Sequence, residues 1–345
     1  MNAVYIGILT PGTTSRMRAE TLRTITPRWH WHWIDTHKPY LQASRWGRTL
    51  AMRFKIGPVM QATNRLVQNE LAQIAKTNQP DLIWTDKAAY LSLDTTKLLR
   101  RSTGKLIHYT PDTAFHTNKS KAFNASLPLY DYAVSTKSFE TAEYAQWIPA
   151  DRLLMTTQAY DAKVHYPRFA FEEKVPEVSF IGLCEPDRMD CAEQLLAAGV
   201  PLRIAGVNWE DFCQRHQHDA HFSFAGREVF GDDYVNMISK SWISLGLISK
   251  RFPELHTTRT FEIPACGTIL ATETNRETQS FFNDDEALFF TDYQTLAQKI
   301  KALLQDPEKL RAMASAGTAR VRRDQRDYHS ILSNILAQTG TLSPS

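Results

Sequence analysis

PELHTTRTFEIPACGTILATE, from Pro253 to Glu273, reads as one α-to-β step. A helix from about Thr258 to Ala265 would run through the turn Pro264-Ala265-Cys266-Gly267 into Thr268 to Ala271, a short run of strand character. Working outward, the step repeats. In the second half the expected strands are Val178 to Leu183, Leu202 to Ala205, Ser223 to Ala225, Ile243 to Leu247, Thr268 to Ala271 and Ala287 to Phe290. Helices are expected over Met189 to Ala198, Asp233 to Ser239, Tyr293 to Leu304 and Pro307 to Ala316. In the first half the strands are Val4 to Leu9, Trp29 to Ile34, Asp81 to Trp84, Lys105 to Tyr109, Tyr130 to Val134 and Leu153 to Thr157, with helices over Pro58 to Ala75, Leu93 to Arg101 and Ser138 to Trp147. Apolar runs alternating with helical stretches predict parallel sheets covered by helices.

At 345 residues the chain exceeds what one hydrophobic core usually organises. HYPRFAFEEKVP, His165 to Pro176, carries two prolines and a charge cluster and is the expected linker. The fold class is therefore α/β, with two Rossmann-like doubly wound domains, 1–168 and 177–325, facing an interdomain cleft at the ends of their strands. Residues 326–345 form a C-terminal helix and tail, the helix a candidate to pack back on the first domain and the final TGTLSPS expected to fray.

Hydrophobic residues make up 43% and charged residues 22%, an ordinary globular composition that excludes a disordered or fibrous chain. MNAVYIGILTPG is too short for a membrane span and lacks a secretion leader, and the four cysteines have no zinc spacing, so a reducing cytoplasm, bacterial or that of a viral host, is expected. Charge is lopsided: Met1 to His165 holds 21 Lys and Arg against 12 Asp and Glu, whereas the remainder is acidic. Solvated surface explains this as well as an anionic partner does.

Candidate chemistry converges on the second half. Amides opening a helix near Thr258, together with Thr260 and Arg259, would suit a phosphate, and Glu262 one turn on would suit a ribose diol. The alternative is a helix capped by Thr257 or Thr258 with an Arg259–Glu262 pair. Gly182 lets backbone approach a diphosphate, and Arg188, six residues later, offers a planar fork of donors. Gly206 to Trp209 and Gly226 to Val229 are candidate base-recognition loops.

In the first half, Gly12 and Thr13, with Thr14, sit in a strand-to-helix turn and are candidates to close over the donor, although a capping box around Ser15 explains the same residues. Asp112 lies just past a strand and could take the proton an acceptor hydroxyl loses; Asp86 occupies a comparable place, and either could cap a helix. WHWHW, Trp29 to Trp33, puts two histidines on one face, but no third ligand is near and a buried strand is expected. Arg45, Arg48, Arg53 and Lys55, interleaved with Trp46 and Phe54, read as a solvated helix face or a grip on a polyanion.

RTFEIPACGTILATE, VSFIGLCEPDR (Val178 to Arg188) and LRIAGVNWE (Leu202 to Glu210) together resemble the group 1 glycosyltransferases of the spore-maturation CgeB type, specifically from Val178 onward and more loosely before it. The resemblance implies the GT-B fold, transfer of a sugar without a metal, and a nucleotide diphosphate sugar such as a UDP-sugar as co-substrate rather than a bound cofactor. In that wider group two glutamates separated by seven residues line the donor site. Glu262 matches the one that holds the ribose and Glu254 the one near the donor sugar, although Arg251-Phe252-Pro253 replaces the family's glycine-rich turn.

The expected function is thus a hexosyl- or pentosyltransferase acting on a hydroxyl of a cell-surface polysaccharide precursor, a protein or a modified DNA base. The alternatives are a nucleotide-sugar epimerase of the same architecture and a non-catalytic nucleotide-sugar-binding protein. A dehydrogenase is disfavoured because neither first turn carries the dinucleotide glycine pattern.

Overall fold

The computed structural model describes residues 1–342, so the end of the tail, 343–345, lies outside the described residues. Two compact units emerge, one of Met1–Thr157 with Tyr328–Ser345 and one of Gln158–Asp327. The change of unit falls at Thr157, before the proline-bearing segment read as a linker. That segment is structured: Phe171–Glu173 is a 3-10 turn, the first strand of the second unit already begins at Val175, and His165 is buried.

The first unit holds six strands: β1 (Asn2–Gly7), β2 (His30–Asp35), β3 (Leu82–Asp86), β4 (Lys105–Thr110), β5 (Tyr132–Ser135) and β6 (Leu153–Met155). All pair parallel, in the order β2-β1-β3-β4-β5-β6. The second holds β7 (Val175–Ile181), β8 (Leu202–Ala205), β9 (Phe222–Gly226), β10 (Ser241–Leu245), β11 (Ile269–Glu273) and β12 (Leu288–Phe290), parallel in the order β12-β11-β10-β7-β8-β9. Strand order reverses between β1 and β3 and again between β7 and β10. Beyond the carboxyl ends of strands at such a reversal, adjacent crossovers leave on opposite faces and open a crevice.

Local departures have local causes. The expected helix over Ser138 to Trp147 is only a 3-10 turn and the short helix Thr141–Tyr144, because the Glu140 carboxylate turns away to accept the amides of Ala114 (2.8 Å) and Phe115 (2.9 Å). The helix expected to stop at Ala316 runs over Pro307–Arg323. Gly317 serves packing instead of termination, since a Cβ there would lie 2.6 Å from the Glu286 carbonyl oxygen. WHWHW is not buried: β2 is an edge strand, largely half-exposed, with the His30 and His32 rings edge to face at 4.5 Å.

A wholly buried ion pair ties the first unit together. Arg18, on the helix Thr14–Ile25, meets the Asp86 carboxylate with both its Nε (2.6 Å) and Nη2 (2.9 Å), while the Tyr5 hydroxyl donates to the same carboxylate at 2.9 Å. Arg18 Nη1 also reaches the hydroxyl of Tyr328 at 3.2 Å, which fastens the last helix, Tyr328–Gln338, to this unit. Burial pushes the nearby His108 imidazole down to about 3 from its ordinary 6.5. The unfolded chain therefore binds a proton that the folded one refuses between those two values, so stability is intact above pH 6.5 and is lost as pH falls towards 3. His108→Asn should flatten that part of an acid-unfolding curve followed by circular dichroism.

Candidate active site

The carboxyl edge of the second sheet is stripped of side chains where its strand order reverses. Gly182, Gly206 and Gly246 follow β7, β8 and β10 directly, and Gly226 ends β9. At Gly206 (φ +138°) a Cβ would stand 2.0 Å from the Gly182 carbonyl oxygen, so two turns cross backbone to backbone. Gly206→Ala is expected to cost about 2–4 kcal/mol by thermal or denaturant unfolding, the sum of backbone strain and overpacking. Trp209, placed by its sequence in a base-recognition loop, is core: it is fully buried and its indole N–H donates to the Gly182 carbonyl at 2.9 Å.

Arg188 lies in the first turn of the helix Pro186–Ala197, almost wholly buried. Its Nη1 donates to the Leu183 carbonyl (3.1 Å) and its Nε stands 3.5 Å from Glu185 Oε2. Burial, and next the neighbouring Arg259 guanidinium, lower its proton affinity against the opposing pull of Glu185, Glu273 and Glu254. Two guanidiniums thus share one neighbourhood, and Nε of each is buried without a hydrogen-bond partner among the described residues. Glu185 also accepts from Ser249 Oγ (3.2 Å) and pairs with Arg251 (3.1 Å), while Glu273 accepts the Ile248 amide (3.2 Å) and holds Lys250 (3.1 Å). Glu185 and Glu273 lie within the stretches VSFIGLCEPDR and RTFEIPACGTILATE with no role expected of them there; Glu185 is close to Arg188 in sequence, whereas the fold brings Glu273 here.

The helix expected at Thr258 spans Arg259–Ala265, less than two full turns, with Pro264 inside it. No side chain caps it at Thr258. The amides of Thr260, Phe261 and Glu262 go to the Thr257 and Thr258 carbonyls, so its opening turn offers a phosphate little beyond Arg259 itself. Thr260 is fully buried and its hydroxyl accepts the Thr257 amide at 3.1 Å, a structural role instead of the donor contact its position suggested. Nearby, His256 is a strut: Nε2 accepts the Gln158 amide (3.0 Å) and Nδ1 faces Glu277 at 2.6 Å.

Glu262 is neither capped by nor paired with its own helix. Its Oε2 accepts the Tyr234 hydroxyl at 2.6 Å and its Oε1 lies 3.6 Å from His165 Nε2. Because His165 Nδ1 accepts the Asp161 amide (3.1 Å), the ring proton sits on Nε2 and points at Glu262. Burial, then the Glu262 charge, raise the Tyr234 phenol well above its ordinary value, so it stays a donor. Neither Tyr234 nor His165 was legible as a partner, since they lie 28 and 97 residues away.

In the first unit, Thr13 is the cap of Thr14–Ile25, its hydroxyl accepting from the Arg16 amide and donating to the Thr10 carbonyl at 2.7 Å; Ser15 is instead buried against Tyr5. Gly12 takes φ +82° with open space at its Cβ position. Asp86 is removed as a candidate base by its ion pair with Arg18. Asp112 keeps 45% of its side chain exposed and pairs with Lys87 at 2.5 Å. Burial would raise its proton affinity, but Lys87, then Lys137 and Arg18, outweigh that and hold the carboxyl below its ordinary range. That weakens it as a base at neutral pH. Lys87 has φ +57°, a conformation an L residue keeps only under constraint.

The fold has counterparts among known proteins. Residues 188–337 match the glycosyl transferase-like family model. The matched residues begin at Arg188 and include Glu254, Arg259 and Glu262. No curated protein matches the chain in sequence. Similar solved structures include HepE of Anabaena in complex with UDP and glucose, at 13% identity and TM-score 0.63 over 99% of this chain and 100% of that one. Sucrose-phosphate synthase of Thermosynechococcus elongatus shares 15% identity at TM-score 0.64 over 99% of each chain. A glycosyltransferase of Rickettsia africae shares 11% at 0.64 over 100% and 99%. The common architecture is the GT-B fold, two parallel six-stranded sheets flanked by helices. Among the described residues, no helix is long and apolar enough to cross a membrane and no cluster of three or more His, Cys, Asp or Glu could hold a metal ion.

Proposed function

We propose that the chain is a glycosyltransferase of the CgeB type, moving a hexosyl or pentosyl group from a nucleoside diphosphate sugar to an acceptor hydroxyl. The observation that carries the reading is the pair Arg188 and Arg259, two guanidiniums in one neighbourhood at the reversal of the second sheet. Like charges that act on each other repel, and an anion held by both turns that cost into binding. A diphosphate fits by charge and by the planar fork of each side chain.

Glu262 would take the ribose, its carboxylate fixed by Tyr234 and His165 before the ligand arrives. Glu254, within electrostatic reach of Arg188, would stand towards the sugar. A uridine base is supported by HepE, whose structures hold UDP or UDP-glucose. As the glycosidic bond breaks, charge gathers on the departing diphosphate, and the two arginines would neutralise it with no metal. The acceptor is proposed to bind the first unit, with the Asp112–Lys87 pair orienting its hydroxyl.

The domain boundaries follow the two compact units, and 158–168 is proposed to serve the donor side through His165. A thermal-shift screen over nucleoside diphosphates and their sugars tests the reading. A ligand at 100 times its Kd adds about 2.7 kcal/mol to stability, so UDP or a UDP-sugar should raise the melting temperature. No shift with any nucleoside diphosphate would remove the donor assignment.

A further inference from the structure

The stretch between Asp35 and Glu70 contains six Lys or Arg and no acidic residue. At its centre is the helix Arg45–Phe54, capped by the Ser44 hydroxyl and closed by Lys55 at φ +56°. A helix on a globular domain normally turns its large apolar residues inward. This one does the reverse: Gly47 and Ala51 face the unit, where they meet Val59, while Trp46 (70% exposed), Met52 (57%), Phe54 (55%) and the following Ile56 (57%) face outward. Arg45 and Arg53 are exposed beside them, and Arg48 leans over Tyr40 with its Nη2 on the Leu41 carbonyl. Exposed apolar side chains beside exposed arginines, in a stretch with no acidic residue, match a surface that is apolar just below a negative layer.

We propose that this face of the first unit docks on an anionic lipid bilayer, with Trp46, Met52, Phe54 and Ile56 entering the boundary between headgroups and acyl chains and Arg45 and Arg53 meeting lipid phosphates. A nucleic acid shares the charge but not the rest. Base stacking rewards Trp46 and Phe54, whereas Met52, Ile56 and the half-exposed Leu41 have no π face and gain only from hydrocarbon. The inference stands on the first unit alone and does not depend on the donor site.

Flotation of the full chain with vesicles tests it, comparing phosphatidylcholine alone with phosphatidylcholine mixed with phosphatidylglycerol at low and high salt. Retention is expected on the anionic vesicles, weakening by roughly tenfold or more on the zwitterionic ones and at high salt. Arg45→Ala and Arg53→Ala should each weaken retention by roughly fivefold, and the double variant Trp46→Glu/Phe54→Glu should abolish it with an unchanged melting curve. Absence of retention, equal retention on both vesicles, or full retention of the double variant overturns the proposal. Salt-sensitive binding of a DNA or RNA duplex with the vesicles ignored overturns it too, and assigns the face to nucleic acid.

Discussion

Asp86→Ala should destabilise the first unit by about 3–5 kcal/mol, the cost of leaving a buried guanidinium without its counter-ion. Arg18 is wholly buried, and Asp86 takes two of its three nitrogens while Tyr328 takes the other. Nothing exposed can replace the carboxylate. The unfolding transition of this unit should fall by on the order of 10 °C in calorimetry. Arg18→Met combined with Asp86→Leu should recover much of the loss, because removing both charges removes the unpaired one. A single variant as stable as the parent would mean that solvent reaches Arg18. The same measurement separates architecture from chemistry, since Asp86 occupies the strand end where a catalytic carboxylate was one reading of the sequence.

Arg188→Ala is expected to lower kcat for sugar transfer by roughly 100- to 1000-fold, the usual effect of removing one preorganised donor from charge that develops in the transition state. Its buried position makes the deletion hard for solvent to repair. Arg188→Lys should recover little, because an ammonium lacks the planar fork. Glu262→Gln is expected to act differently. It keeps the shape and the Tyr234 contact but removes the charge, so it should raise KM for donor more than it lowers kcat. A variant at Arg188 with parental kcat would separate this residue from the leaving group.

The alternation of strands and helices was legible because each apolar run and each helical period is a local property. Leu93–Arg101 and Tyr293–Leu304 lie where their periodicity put them, and Gly182 and Arg188 stand in one turn because they are close in sequence. Partners brought by the fold were not legible. Tyr234 and Glu262 meet because β10 and β11, which follow them, pair; His165 joins from the segment before β7, which pairs with β10; and Thr260 is buried with its hydroxyl on the Thr257 amide. Prolines and charges in 165–176 looked like a linker, yet Lys174 Nζ sits within hydrogen-bond reach of the Ser239 carbonyl and of Thr268 Oγ1 (3.1 Å). The helix expected over Pro307 to Ala316 runs on through Gly317, whose missing side chain permits a close approach to the Glu286 carbonyl. Short helices fared worst. Arg259–Ala265 has the expected place, but its opening amides are spent on the chain's own carbonyls, so the proposed grip on a diphosphate moves from those amides to the side chains of Arg188 and Arg259.

That shift can be tested directly by calorimetric titration of UDP into the parent chain and into the double variant Arg188→Ala/Arg259→Ala. The account predicts saturable binding by the parent and a loss of at least roughly 100-fold in the double variant, whose melting curve should otherwise be retained. Equal affinity in both proteins would contradict it, because the diphosphate would then be held by something other than these two side chains.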